Sequence, residues 1–214
     1  MILSIIPCGP VEANMIFVGA DGGKTVAVID PSDADLALSV LKENGWTLSD
    51  ILVTHRHFDH MLGVQKLKSE TGAKIYISEA DAVGLTSNLH SLSLMQRIAI
   101  TPVEPDVKLH DRDTFEAAGL KFRVLETPGH TIGGITFVCD DQRCAFCGDT
   151  LFCEGYGRFD LPTGDYRALR HSILDVLLRL PEDYTLYPGH EESTTVAHER
   201  VYNPMISEAE PWFV

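Results

Sequence analysis

Three histidines and an aspartate fall within six residues at His55-Arg56-His57-Phe58-Asp59-His60. The apolar run Ile51–Thr54 just before them reads as a short buried strand. While the chain stays extended, His55 and His57 point to one side, so both imidazoles can reach a single ion. Asp59 and His60 fall where a helix is expected to begin and the direction changes, so they can reach a second ion. Imidazole and carboxylate at this density suit Zn, Fe or Mn. The plainer reading is a His-rich surface loop. It is set aside because histidines are scarce and rarely crowd this way.

Three further candidates lie far away in sequence. His130 stands in Thr127-Pro128-Gly129-His130-Thr131, Asp149 in Cys147-Gly148-Asp149-Thr150, and His190 in Tyr187-Pro188-Gly189-His190. Each follows a strand-like run, and each is preceded by glycine, which lets a backbone turn sharply or approach closely. Singly, each could be an ordinary loop residue. Together they supply three more ligands at one sheet edge, where ligands gather in α/β proteins.

The elements that must position these groups alternate along the whole chain, which predicts mixed α and β in one domain over residues 1–214. Residues 1–30 read as two or three strands, with Ala13–Gly19 and Thr25–Asp30 parted by a turn at Asp21-Gly22-Gly23. Ser32 with Asp35 resembles a capping box. It opens a helix whose stripe is Leu36, Ala37, Val40 and Leu41, and Gly45 ends it. Met61–Glu70 reads as helix and Lys74–Ser78 as strand. Residues 84–106 have no clear period and are expected to form a loop with a short helix, a candidate lid. Lys121–Glu126, Ile135–Cys139 and Cys144–Cys147 read as strands, the last two as a hairpin. Asp165–Leu180 has the best helical stripe, Leu169, Ile173, Val176, Leu177 and Leu180, and Tyr184–Tyr187 reads as a last strand. Strands followed by helix, strand and helix occur in both halves, which hints at an old duplication.

The balance of 17 Lys and Arg against 31 Asp and Glu gives a formal charge of −14. A field of that sign repels phosphate backbones, so nucleic acid and anionic membrane are not expected partners. The N-terminal apolar stretch has no Lys or Arg before Lys24, unlike a secretory signal, and no run approaches a bilayer span, so a cytoplasmic protein is expected. The five cysteines are odd in number, which suits reduced thiols.

HRHFDH, TPGHT, GDT and PGH, in this order and spacing, resemble the metallo-β-lactamase superfamily from about Glu12 to about Pro204. The resemblance implies a four-layer αβ/βα sandwich with a dinuclear site at one edge. It implies His55, His57 and His130 on one metal, Asp59, His60 and His190 on the other, and Asp149 bridging. Within the superfamily, Gly148–Phe152, Gly155–Pro162, Gly164-Asp165 and the stretch from His190 to Asn203-Pro204 resemble short glyoxalase II-like hydrolases. Two features depart from the longer members of that group. Those carry a C-terminal helical domain that grips glutathione, whereas 24 residues follow His190 here. They also place Tyr two residues after a basic residue where this chain has Asp160.

The resemblance implies a hydrolase with two divalent ions, most simply Zn with Fe or Mn as variants. Its substrate would be a small acyl ester or thioester such as S-lactoylglutathione, attacked by a metal-bridging hydroxide with Asp59 holding the proton. Arg158, after two glycines, is a candidate fork for a substrate carboxylate, or an internal partner of Asp160 or Asp165. Rival readings are a mononuclear-iron persulfide dioxygenase, a lactone or other ester hydrolase, and a binding module that keeps the fold. The bridging Asp149 and the missing export signal speak against a β-lactamase, and the acidic charge against a ribonuclease Z relative. Cys144-x-x-Cys147 reads as two apolar-like residues of one strand rather than a redox pair. His90, His110, His171 and His198 read as solvated or capping.

Overall fold

The computed structural model describes residues 1–207. Among them, six strands form a first sheet: β1 (Ile2–Cys8), β2 (Ala13–Gly19), β3 (Thr25–Ile29), β4 (Thr47–Leu52), β5 (Lys74–Ser78) and β6 (Val107–Leu109). The second sheet begins with β7 (Thr114–Ala117), β8 (Leu120–Glu126), β9 (Ile135–Cys139) and β10 (Cys144–Gly148). A small hairpin of β11 (Leu151–Phe152) and β12 (Gly155–Tyr156) follows, and then β13 (Thr185–Pro188) and β14 (Thr194–Thr195) complete that sheet. The helices are α1 (Ala34–Asn44), α2 (Val64–Thr71), α3 (Tyr166–His171) and α4 (Val196–Tyr202).

Each sheet starts as an antiparallel meander; the first then adds three parallel strands, and the second adds β13 parallel to β10 and closes with β14 antiparallel to β13. Parallel neighbours need a crossover, and α1 and α2 supply those from β3 to β4 and from β4 to β5. The period-two alternation of each strand then sorts side chains into layers. Met15 and Phe17 of β2 face α1 and α2, whereas Ile16 and Val18 face the other sheet. Ala145 and Cys147 of β10 face the layer of α3 and α4, whereas Cys144 and Phe146 face the first sheet. This is the expected αβ/βα sandwich. Both faces of the central strands are covered, so β2 is buried at every position and is apolar throughout except for Asn14.

Several local expectations are corrected. The cap of α1 is Asp33, whose carboxylate accepts from the Leu36 N–H at 3.0 Å; Ser32 instead donates its hydroxyl to the Asp59 carbonyl. The helix expected from Met61 starts at Val64, and a single tight turn over Phe58–His60 precedes it. The stripe of Asp165–Leu180 is real, but only Tyr166–His171 is α-helical; Ser172–Val176 widens to a π turn and Leu177–Arg179 tightens to 3₁₀. The widening begins at Ser172, whose hydroxyl donates 2.7 Å to the Pro128 carbonyl beside the His130 loop. Val176 is only half-buried in that stripe. Strands β6, β7, β11, β12 and β14 and helix α4 are additional to the sequence reading. Cys144 and Cys147 face opposite layers, so they form no pair. Residues 84–106 form the expected loop with short helical turns and wall the cleft: Asn88 Oδ1 accepts from Ser93 Oγ and the Ile100 N–H, each at 2.7 Å, and the Ser91 carbonyl accepts from the Phe58 N–H at 2.9 Å.

Candidate metal centre

All seven ligand candidates meet at the strand ends along one edge of the sandwich. His55 follows β4, His130 follows β8, Asp149 follows β10 and His190 follows β13. Ring or carboxylate atoms of His55, His57 and His130 lie within 4.8 Å of one another, and so do those of Asp59, His60 and His190. Asp149 spans the two groups, with Oδ1 3.4 Å from His60 Nε2 and Oδ2 3.5 Å from His130 Nε2 and 3.6 Å from His190 Nε2. Asp59 Oδ2 is 3.3 Å from both His60 Nε2 and His190 Nε2. The two triads that the resemblance implies, and Asp149 with them, are thus brought together in space.

The chemistry of this donor set fits metal. His55 Nε2, His57 Nε2, His60 Nε2 and Asp149 Oδ1 are buried without a hydrogen-bond partner, although buried polar atoms are nearly always paired. His57 Nδ1 and His130 Nε2 stand 2.8 Å apart, a separation that two bare lone pairs would resist unless a proton or cation lay between them. Burial, then the neighbouring His130, push His57 down to about 3, so it is neutral and ligand-ready. Burial is the largest influence and works to raise Asp149, but His60, His130 and His190 together outweigh it and hold the carboxyl at about 2. Burial opposes the charged form of His60, yet Asp149 and Asp59 hold its pKa well above the usual imidazole value.

Sequence reasoning did not find the groups that orient these ligands. Asp30, at the end of β3 with φ of 50°, is 1% exposed. Its Oδ1 accepts from the Thr54 N–H at 2.8 Å, and its Oδ2 takes the Thr54 hydroxyl at 2.6 Å and meets His60 Nδ1 at 3.0 Å. Thr54 Oγ1 in turn lies 3.0 Å from His55 Nδ1, and the Arg158 carbonyl accepts from His130 Nδ1 at 2.7 Å. Such partners fix the tautomer and the aim of a metal-binding imidazole. Asp81 ties two ligand loops together, accepting from the Arg56 N–H at 3.1 Å, the Thr131 hydroxyl at 2.6 Å and the Gly133 N–H at 3.2 Å.

Two glycines are required by close approach. A Cβ on Gly129, whose φ is 131°, would lie 2.2 Å from Leu169 N, and one on Gly189 would lie 2.2 Å from Asp149 Oδ1 and 2.7 Å from His60 Cε1. Gly189→Ala is therefore expected to displace Asp149 and His60 and to lower bound metal below that of the wild type. Metal analysis of the folded variant checks this.

The centre opens into a cleft of about 770 Å³. Leu92 and Met95 of the 84–106 wall line it, with Phe58, Phe152 and Leu161. Arg158 also lines it, and its guanidinium forks onto Asp160, Nε to Oδ1 at 2.9 Å and Nη2 to Oδ2 at 2.8 Å. Asp165 instead caps α3, accepting from the Ala168 N–H at 2.8 Å. The remaining histidines stand apart from the cleft: His90 meets Ser87, His110 Glu79, His171 Asp175 and His198 Glu154.

Two sheets flanked by helices, with a five-histidine, two-aspartate cluster at their shared edge, define a metallo-hydrolase-like sandwich. The chain belongs to the metallo-β-lactamase superfamily, whose family model matches residues 8–190. Hydroxyacylglutathione hydrolase of Ectopseudomonas mendocina is 40% identical over 77% of this chain and 56% of that protein. The enzyme of the same name from Rhodopseudomonas palustris (strain BisB5) is 35% identical over 88% of this chain and 66% of its own length. Among solved structures, BLEG-1 B3 metallo-beta-lactamase overlays with a TM-score of 0.91 at 30% identity, covering 97% of this chain and 100% of that one. TTHA1623 in a di-iron-bound form overlays at 0.83 with 32% identity, over 94% and 98% of the two chains. ETHE1 from Myxococcus xanthus overlays at 0.78 with 27% identity, over 95% and 84%. Among the described residues no helix is long and apolar enough to cross a membrane.

Proposed function

We propose that this protein hydrolyses the acyl–sulfur bond of a small thioester in the manner of glyoxalase II, S-lactoylglutathione being the first substrate to test. The observation that carries the reading is Asp149 spanning two complete ligand triads at the floor of an open cleft. Among the described lining residues there is no serine, threonine or cysteine to act as a covalent nucleophile. Two divalent ions held there would bring the pKa of a water to about 7 and polarise the acyl carbonyl. On this reading Asp59, whose Oδ2 lies 3.3 Å from His60 Nε2 and from His190 Nε2, would orient the attacking water and take up its proton. Phe58, Phe152 and Leu92 keep the acyl end dry. Sequence likeness to two enzymes named hydroxyacylglutathione hydrolase supports the thioester class. We take zinc as the first metal to try, with iron next in view of the di-iron relative. Five free cysteines and the acidic charge favour a cytoplasmic protein with no nucleic-acid or membrane partner.

The metal-loaded protein is expected to hydrolyse S-lactoylglutathione or a simpler thioester. Oxygen uptake with glutathione persulfide and no thioester hydrolysis would favour the dioxygenase reading, which the ETHE1 neighbour keeps in view. Turnover of a β-lactam or lactone alone would favour the others, and the BLEG-1 overlay makes the β-lactam assay necessary despite Asp149.

Arg158 is proposed as a substrate contact. Its pair with Asp160 is exposed, 67% and 61% for the two side chains, and pairs so exposed hold weakly enough for a substrate carboxylate to displace them. On this reading Arg158→Ala raises KM with little change in kcat, about 10- to 150-fold in kcat/KM, and Arg158→Lys recovers only part. An unchanged KM with a lowered melting temperature would leave the pair with Asp160 as its whole role.

A further inference from the structure

Resting on the hydrolase reading above, a second feature of the cleft bears on the thiol half of the substrate. The ligands at the floor are buried, with His57 5%, Asp59 7% and Asp149 9% exposed. Exposed around the mouth stand three carboxylates, Glu12, Glu191 and Glu192. Apart from the metal ligands, the other charged side chain among the described lining residues is Arg158, one cation against three carboxylates and itself paired with Asp160. The rim is therefore acidic, on a chain whose formal charge is −14.

Asn14 adds an independent observation. It lines the same cleft as these carboxylates and is 2% exposed. Its Nδ2 donates to the Pro188 carbonyl at 3.1 Å and to the Glu191 carbonyl at 2.9 Å. Its main-chain N–H donates to the Gly189 carbonyl at 2.7 Å. Both amide protons are thus committed to carbonyls, which fixes the amide orientation. That leaves Oδ1 as a buried acceptor without a donor, a state that costs about 1–3 kcal/mol unless a partner arrives.

An orphan acceptor beside three carboxylates is complementary to a cationic N–H group. We infer that this edge of the cleft is a subsite for an ammonium group carried by the leaving thiol of the substrate. A thiol that carries a carboxylate and no ammonium, such as 3-mercaptopropionate, meets like charge at this edge and is disfavoured.

The test uses the metal-loaded protein and lactoyl thioesters that differ only in the thiol: 3-(dimethylamino)propanethiol, 3-mercaptopropanol and 3-mercaptopropionate. The tertiary amine carries one N–H when protonated and cannot capture the acyl group. Expected kcat/KM falls from cation to neutral to anion, with cation over anion by about 10- to 100-fold at low salt, shrinking as salt rises. In Glu12→Gln/Glu192→Gln that ratio falls to within about threefold. A trimethylammonium analogue separates charge from the N–H, and it should rank below the dimethyl compound because it has nothing to give Asn14 Oδ1. An anionic thioester that matches or beats the cationic one, or a ratio indifferent to the two substitutions, overturns the subsite. If no thioester turns over, the hydrolase reading fails separately. Calorimetric titration with protonated 3-(dimethylamino)propanol then decides the subsite: it should bind wild type more tightly than the double variant, and equal or absent binding overturns it.

Discussion

His57→Ala is expected to reduce hydrolysis by at least about 10³-fold, the equivalent of several kcal/mol of lost transition-state stabilisation. His57 belongs to the triad with His55 and His130, and its Nδ1 sits 2.8 Å from His130 Nε2. Burial, then His130, push its pKa to about 3, so at neutral pH it offers a lone pair rather than a proton. Alanine removes that lone pair and opens a gap that the neighbouring histidines are too fixed to close. His130 is held by the Arg158 carbonyl and His55 by Thr54. Because His57 lies in a loop rather than in the core clusters, the variant should remain folded. Circular dichroism and metal content on the same sample separate lost chemistry from lost fold. A folded variant that keeps wild-type turnover would remove His57 from the centre.

Asp30→Ala is expected to cost about 3–5 kcal/mol of stability and to weaken metal binding about 10- to 100-fold, although Asp30 is not itself assigned as a ligand. Its carboxylate is the common acceptor for the Thr54 N–H, the Thr54 hydroxyl and His60 Nδ1. Alanine leaves two buried donors unpaired and frees the His60 ring to rotate away from Asp149. It also puts a residue poorly suited to positive φ at a position where φ is 50°. Asn tolerates that backbone region and still offers an acceptor to the Thr54 N–H, so Asp30→Asn should fall between wild type and Asp30→Ala in both measurements. Denaturant midpoints on metal-free protein and metal titrations on folded protein read the two effects apart. A weakened midpoint with unaltered metal affinity would make Asp30 a packing residue only.

The ligands were legible because their chemistry is dense in sequence, whereas the groups that aim them were not. His55 to His60 announce themselves within six residues, and the glycines before His130, Asp149 and His190 mark sharp strand ends. Asp30 reads only as the last residue of the run Thr25–Asp30. Its role appears only because β3 pairs with β4, with Ile29 opposite Leu52, which carries Asp30 beside Thr54. Asn14 hides in an apolar strand for the same reason, since Gly189 and Glu191 reach it from 175 or more positions away. Apolar alternation revealed the central strands, but two-residue strands such as β11 and β12 are too short to carry a period. The stripe from Leu169 to Leu180 predicted burial correctly except at Val176 and pitch incorrectly, because nearly the same residues face inward whether the turn is α, π or 3₁₀. Asp33 and Ser32 are both good capping residues, and packing against Asp59 decided between them.

Stepwise return of zinc to metal-free protein, with bound metal and thioester hydrolysis followed together, tests the dinuclear hydrolase most directly. Wild type should take up close to two equivalents per chain and reach full activity only as the second is bound, while Asp149→Ala should hold less metal and stay inactive. Full activity at a single tightly held ion, with Asp149→Ala equally active, would contradict a centre built on two triads and a shared carboxylate.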